Sequence, residues 1–181
     1  MKELVLIVPS VDWLEEVSAY KSEFFQANEH LHGGARLGEM ADLTEWLDHV
    51  RAIAKGEGLE EKRVPSSTFL CIRQADNKMV GICNIRHNLS QPFLVNFAGH
   101  IGYSIRPCER RKGYAKEQLR LALKKAAKLG IKRALVTCDV NNVASEKTIL
   151  ANGGNYDNTY IDPSVGSETK RYWIEVTNDQ S

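Results

Sequence analysis

Apolar positions along this chain recur with the periods of both strands and helices. Short apolar runs predict strands, and apolar residues three and four apart predict helices that present one face to a core. Strands are predicted at residues 4–8, 69–72, 79–86, 95–105, 134–140, 156–161 and 170–176. Helices are predicted at 12–28, at 43–53 with Asp42 as N-cap, between a turn at 110–115 and Gly130, and between Asn142 and 152–154. This succession predicts an α/β fold (α+β by some conventions), with a mixed sheet of six or seven strands and helices on both faces.

A basic turn between a strand and a helix carries the most specific chemical signal. A strand-like run ends at Pro107, the turn follows at residues 110–115, and an amphipathic helix begins at once. The first turn of a helix has N–H groups without intrahelical partners at the positive end of the helix dipole. This order of elements therefore predicts a binding site for a diphosphate.

The residues of the turn suit close approach of a phosphate group. Gly113 has no Cβ and adopts backbone angles that other residues avoid, and Ala115 is the next smallest residue. The side chains that can add positive charge are Arg110, Arg111 and Lys112. The pattern Arg-x-x-Gly-x-Ala is weakly specific by itself, and a basic, solvated helix start is the alternative interpretation.

A second motif follows about thirty residues later. Residues 136–140 are predicted to form a strand, and Asn142 and Ser145 follow it at the start of a short helix. With both motifs in this order, residues 68–176 resemble the GNAT superfamily of N-acetyltransferases, whereas residues 1–66 match it loosely. The resemblance implies a splayed fourth and fifth strand, with the arm of acetyl-CoA bound between residues 101–106 and 135–139.

The resemblance also implies the cofactor-binding residues of this chain. Arg110, Gly113 and Ala115 match the acetyl-CoA loop of the family, and Asn142 and Ser145 match its second element. The residues expected to contact the cofactor are Ile105, Arg106, Arg110, Arg111, Lys112, Gly113, Tyr114, Ala115, Asn142 and Ser145. Capping of a helix is the alternative role for Asn142.

N-acetylation requires a neutral amine and benefits from a proton donor to the departing thiolate. Family members often have a tyrosine four residues after the Ser or Ala of the second motif, but this chain has Ile149 there. Candidates from the last strands are Tyr156 and Tyr172, with a core position as the alternative for each. For the base we expect His100, because a histidine near its ordinary pKa suits the task; a hydrogen-bonded structural role is its alternative.

These features predict an acetyl-CoA-dependent N-acetyltransferase that acts by direct attack of a primary amine of a small molecule or peptide. A non-catalytic, acyl-CoA-binding regulatory module is the alternative, because the usual tyrosine is missing. Residues 106–133 hold eleven Lys and Arg against two Glu, yet the chain has a net charge of only +1 and this stretch lacks interleaved aromatics apart from Tyr114. Nucleic-acid binding is therefore not expected. A homodimer remains open.

Length and cysteine usage bound the remaining expectations. A chain of 181 residues predicts one domain over residues 1–181. Its four cysteines include no Cys-x-x-Cys pair, so free thiols in a reducing, cytoplasmic compartment are expected. The opening apolar run of five residues is too short for a membrane span. His30 and His32 are spaced like metal ligands, but no third ligand is near in sequence, and no metal is expected.

Overall fold

The computed structural model describes residues 3–177, which form seven strands and four α-helices. The strands are β1 (Leu4–Ile7), β2 (Ser66–Arg73), β3 (Lys78–Arg86), β4 (Ile101–Ile105), β5 (Arg133–Asp139), β6 (Asn155–Ile161) and β7 (Glu168–Glu175). The helices are α1 (Leu14–Gln26), α2 (Leu43–Ala54), α3 (Tyr114–Lys128) and α4 (Val143–Leu150). The domain predicted over residues 1–181 extends beyond the described residues at 1–2 and 178–181.

The seven strands form two antiparallel sheets that face each other edge to edge. The first sheet has the order β1-β2-β3-β4 and the second the order β5-β7-β6. Among the edge strands of the two sheets, β4 contacts β5, so these two strands are the facing edges. The predicted α/β class, the strand number and the splayed fourth and fifth strands are confirmed.

Helices cover both faces of the sheets because each has one apolar stripe. On one face, α1 and α2 pack on β2 and β3 and form a core around Tyr20, Trp46 and Leu70. On the other face, α3 and α4 pack around Leu119, Ala122 and Ile149. Asp42 caps α2 as predicted, since its side chain accepts hydrogen bonds from two N–H groups of the first turn. Within residues 3–177, none of the helices is long and apolar enough to cross a bilayer.

The strand predicted at residues 95–105 was wrong in its first half. Residues Leu94–Ala98 form a π-helical turn, and β4 begins only at Ile101. Gly99 ends the turn at φ +62°, and a Cβ there would lie 2.4 Å from the carbonyl oxygen of Leu135. A short apolar run does not distinguish a strand from a helical turn. The first helix is also shorter than predicted, because a 3₁₀ turn at Val11–Trp13 precedes it.

Candidate active site

Strands β4 and β5 touch at one end and separate toward the other. Where they touch, the N–H of His100 donates to the carbonyl of Leu135 at 2.7 Å. Further along β4, the N–H of Arg106 donates to Val80 of β3 at 2.8 Å. Because the direction of backbone groups alternates along a strand, the N–H and C=O groups of Tyr103 and the N–H of Ile105 face the gap between the sheets. The C=O of Ile105 accepts a hydrogen bond from Nε of Arg110 at 3.3 Å. The gap therefore offers backbone groups to a ligand that enters it.

The turn at residues 110–115 has the backbone conformation of an anion-binding loop. Arg111 and Gly113 have φ of +62° and +81°, and α3 begins directly after Gly113. Nothing lies within 4 Å of a Cβ built at Gly113, so its left-handed backbone, and not crowding, requires a glycine. Gly113 has no side chain to cap α3, so no side chain of the N-cap residue covers the start of this helix.

Two of the three basic side chains of the turn are held in ion pairs. Arg110 binds both carboxylate oxygens of Glu29, at 3.1 and 2.6 Å. Lys112 donates to Glu109 at 2.8 Å. Arg111 is exposed, and its backbone angle places it at the tip of the turn. Arg110 and Lys112 thus already have carboxylate partners, and the other sources of positive charge at this turn are Arg111 and the N-terminus of α3.

The side chains of Arg106 and Tyr114 have structural contacts. Arg106 is buried and pairs with Glu23 at 2.6 Å and Glu16 at 3.1 Å, which ties the end of β4 to α1. Tyr114 is buried, and its hydroxyl accepts a hydrogen bond from Arg73 at 2.9 Å. Neither side chain points toward the gap, so any contact of these two residues with a cofactor comes from their backbone.

Glu109 is a site residue that the sequence did not single out. It is 3% exposed, and its carboxylate pairs with Arg73, Lys78 and Lys112 at 2.8 to 2.9 Å. Burial alone raises the pKa of Glu109, but the hydrogen bonds from these three cations hold it well below its usual range. Glu109 thus anchors the turn to β2 and β3. An isolated acidic residue within a basic stretch was the available signal.

The second motif forms the N-terminus of α4, across the gap from β4. The side chain of Asn142 accepts a hydrogen bond from the N–H of Ser145 at 3.1 Å and caps the helix. The hydroxyl of Ser145 lies 2.8 Å from that of Tyr103. Ile149, at the position of the usual family tyrosine, is fully buried and has no polar group to offer.

The geometry favours a structural role for His100. Its Nδ1 accepts the N–H of Leu135 at 2.9 Å, and burial together with the charge of Arg86 lowers its pKa to about 4. A ring that uses this lone pair to join β4 to β5 is poorly placed to take a proton from an amine. The distance in sequence between residues 100 and 135 concealed this contact.

The two tyrosines predicted as candidate acids lie on the second sheet. Tyr172 is buried and donates to the carboxylate of Glu146 at 2.6 Å. Burial and the adjacent carboxylate raise the pKa of Tyr172. Tyr156 is 58% exposed, and its hydroxyl lies 2.7 Å from that of Thr159. Both hydroxyls have partners on their own side of the gap.

A cavity of about 760 Å³ lies on the face of the first sheet that carries α1 and α2. Its lining includes Glu29, His30 and His32, from the loop that follows α1. Gly33 of this loop rests directly on β4, because a Cβ on Gly33 would lie 2.5 Å from the carbonyl oxygen of Gly102. Within residues 3–177 no cluster of three or more potential metal ligands is found.

The protein family to which this fold and site belong is shown by a match to a known family. Residues 14–155, more than half of the 181-residue chain, match the family described as the acetyltransferase (GNAT) domain. The chain belongs to the GNAT acetyltransferase family. It is therefore an acyltransferase, and the predicted resemblance is confirmed. No curated protein sequence matches the chain.

Solved GNAT structures share the fold over nearly the whole chain. The ribosomal L7/L12 α-N-protein acetyltransferase RimL, in complex with coenzyme A, has a TM-score of 0.69 at 16% identity, with 97% of this chain and 96% of that chain covered. An acetyltransferase from Salmonella typhimurium that modifies the N-terminal serine of L7/L12 has a TM-score of 0.66 at 18% identity, with 96% and 95% covered. The microcin C7 self-immunity acetyltransferase MccE, in complex with acetyl-CoA and AMP, has a TM-score of 0.63 at 16% identity, with 96% and 93% covered.

Proposed function

We propose that this GNAT protein is an acetyl-CoA-dependent N-acetyltransferase that acetylates a primary amine of a peptide or small molecule. The observation that carries the proposal is the gap between β4 and β5, which opens beside the uncapped N-terminus of α3. A diphosphate bound at that helix N-terminus would let an attached arm run along the strand edges. The solved relatives that act on ribosomal proteins favour a peptide acceptor.

The residues of the chain fit acetyl-CoA, which as co-substrate supplies the activated acetyl group. N–H groups of residues 111–115 would bind the diphosphate, and Arg111 would add charge. The N–H of Ile105, whose carbonyl accepts from Arg110, would pair with the arm, and the end of α4 that carries Asn142 and Ser145 would face it from the second sheet. These assignments extend the geometry of the free protein, in which Gly113 leaves the turn open.

We propose His32, and not His100, as the group that accepts the proton of the amine. His32 lines the cavity, and its backbone carbonyl accepts a hydrogen bond from Ser104 of β4 at 2.8 Å. Burial and the neighbouring His30 lower the pKa of His32, so the ring is neutral at pH 7 and available as a base. His32 would thus supply a proton acceptor from the side of β4 that carries α1, where Ser104 also bonds to Tyr20.

The proposed setting is a single domain in the cytoplasm. Cys71, Cys83 and Cys138 are buried free thiols, which are typical of proteins from a reducing compartment. The family match spans β2–β5 together with both N-terminal helices, which supports one continuous domain.

The decisive experiment measures binding and turnover on the same preparation. Calorimetry with acetyl-CoA and with CoA should show saturable binding, and a thiol-release assay should show turnover with some members of a panel of amines and N-terminal peptides. Absence of heat with both ligands on folded protein would refute the proposal. Binding without turnover on any amine would replace it with the acyl-CoA-binding regulatory module.

A further inference from the structure

Tyr103 spans the gap between the two sheets. It lies on β4, and its hydroxyl is 2.8 Å from the hydroxyl of Ser145, in the first turn of α4. Strand β4 belongs to the first sheet, whereas α4 follows β5 of the second sheet. The phenol therefore reaches across the space in which a ligand arm would lie. Tyr103 is three residues past His100, where the gap closes, and four residues before Pro107, which leads into the turn at residues 110–115.

Because its partner is a hydroxyl, Tyr103 can turn its phenolic proton from Ser145 toward a ligand. Tyr172 donates to a carboxylate, which holds its proton firmly, and Tyr156 is exposed and bonded to Thr159. The partner of Tyr103 is a serine hydroxyl, which can donate as well as accept. Rotation of the Ser145 hydroxyl lets the phenol turn its proton toward a ligand atom while Ser145 donates to the phenol oxygen.

We propose that Tyr103 is the proton donor to the sulfur that leaves the acyl thioester, in the place of the tyrosine that Ile149 replaces. This inference rests on the proposed N-acetyltransferase function. Tyr103 gives its phenolic proton to the sulfur as the carbon–sulfur bond breaks and its electron pair remains on sulfur. The amine nitrogen supplies the electron pair of the new carbon–nitrogen bond and loses one proton to His32. Solvent protons return to Tyr103, so that one thioester and one amine yield one amide and one thiol.

The environment of Tyr103 keeps the phenol protonated until that step. Burial raises the pKa of Tyr103 to about 12, although its hydrogen bond to Ser145 acts in the opposite direction. The thiol of Cys138, which belongs to β5, is the nearby titratable group, and burial raises the pKa of Cys138 to about 11. Both groups are thus neutral at pH 7, and the donor carries its proton when the amine attacks.

A binding experiment tests the contact between Tyr103 and sulfur without turnover. Calorimetry compares CoA with desulfo-CoA, which lacks the sulfur, on wild-type protein and on Tyr103→Phe. In the wild type CoA should bind about three- to tenfold more tightly, the ratio expected from one hydrogen bond, and this ratio should shrink by about the same factor in Tyr103→Phe. The matched control is Tyr20→Phe, which removes a phenol bonded to Ser104 on the opposite face of β4 and should keep the wild-type ratio.

Kinetic measurements on Tyr103→Phe test the role of its hydroxyl in turnover. Tyr103→Phe should lower kcat by about 100-fold, with the dissociation constant of acetyl-CoA within about threefold of wild type. An unchanged kcat in this variant, with CoA bound normally, overturns the role of Tyr103 and leaves the proposed function intact. If the variant does not fold, equal affinities of the wild type for CoA and desulfo-CoA overturn it equally. Absence of binding by either ligand to the wild type removes the proposed function as well.

Discussion

Replacement of Gly113 by alanine most directly tests the proposal that the turn at residues 110–115 binds a diphosphate. Gly113 has φ +81°, and a residue with a Cβ costs about 1–2 kcal/mol in that conformation. For a chain of this length the expected loss in melting temperature is about 2–8 °C. If the turn relaxes, its N–H groups move away from the diphosphate, and each such charge-assisted hydrogen bond is worth about 1.5–3 kcal/mol. If it does not relax, a methyl group stands where the phosphates would rest. In both cases the dissociation constant of CoA should rise about tenfold or more.

Gly130, just beyond the other end of α3, is a matched control. It has φ +83°, and nothing lies within 4 Å of a Cβ built there. Gly130→Ala should therefore lose about as much stability as Gly113→Ala, while its affinity for CoA stays within about twofold of wild type. Thermal melting and calorimetry on the two variants separate strain from ligand contact. Equal dissociation constants for CoA in the two variants would contradict the placement of the diphosphate.

Two further predictions concern Glu109 and His32. Glu109→Gln should lower the free energy of unfolding at pH 7 by about 2 kcal/mol, because the side chain is buried among three partly exposed cations. Since the pKa of Glu109 is depressed, this contribution is present above about pH 4.3 and fades as the pH falls below it, so urea unfolding at pH 3 should show a smaller deficit. The control Glu117→Gln, in a partly exposed pair with Arg120, should change the free energy of unfolding little at either pH. His32→Gln should lower kcat/KM for the amine about 100-fold at pH 7, with a smaller deficit at high pH, where the amine is already neutral. Here His49→Gln, elsewhere in the same cavity, is the control, and equal losses in the two variants would argue against a base at residue 32.

Local patterns were sufficient to predict the turn at residues 110–115 and most of the elements, with the exception of the π-helical turn at Leu94–Ala98. The order of strand, basic turn and helix depends on neighbouring residues, and a glycine at residue 113 is what allows the positive φ of this turn. The cap of α2 at Asp42 is equally local, because its partners are two and three residues away. The splayed strands were expected from family resemblance alone, since periodicity carries no information about the separation of two sheets.

Contacts distant in sequence could not be predicted in the same way. Arg110 looked like a phosphate ligand, but Glu29, 81 residues away, holds its guanidinium. His100 was predicted as a base with a hydrogen-bonded structural role as its alternative, and the N–H of Leu135 donates to its Nδ1. Tyr103 was overlooked because its significance depends on Ser145, on the far side of the gap. In each case the residue type indicates what the side chain can bind, but the fold determines which partner it has.

Side chains of β4 alternate between its two faces, which limits the insertions and deletions that the strand can accept. Tyr103 packs with the core under α3 and α4, whereas its covalent neighbour Ser104 bonds to Tyr20 of α1 on the opposite side. Successive side chains of β4 therefore face two different spaces, or chambers, one on the side of α1 and the other on the side of α3 and α4. Insertion or deletion of a single residue within it would exchange the side chains presented to both chambers at once. The loops on either side are outside the strand and can vary in length without this exchange, so under the proposed function a change on the α1 side would alter amine selection and leave the acyl-donor side as it is.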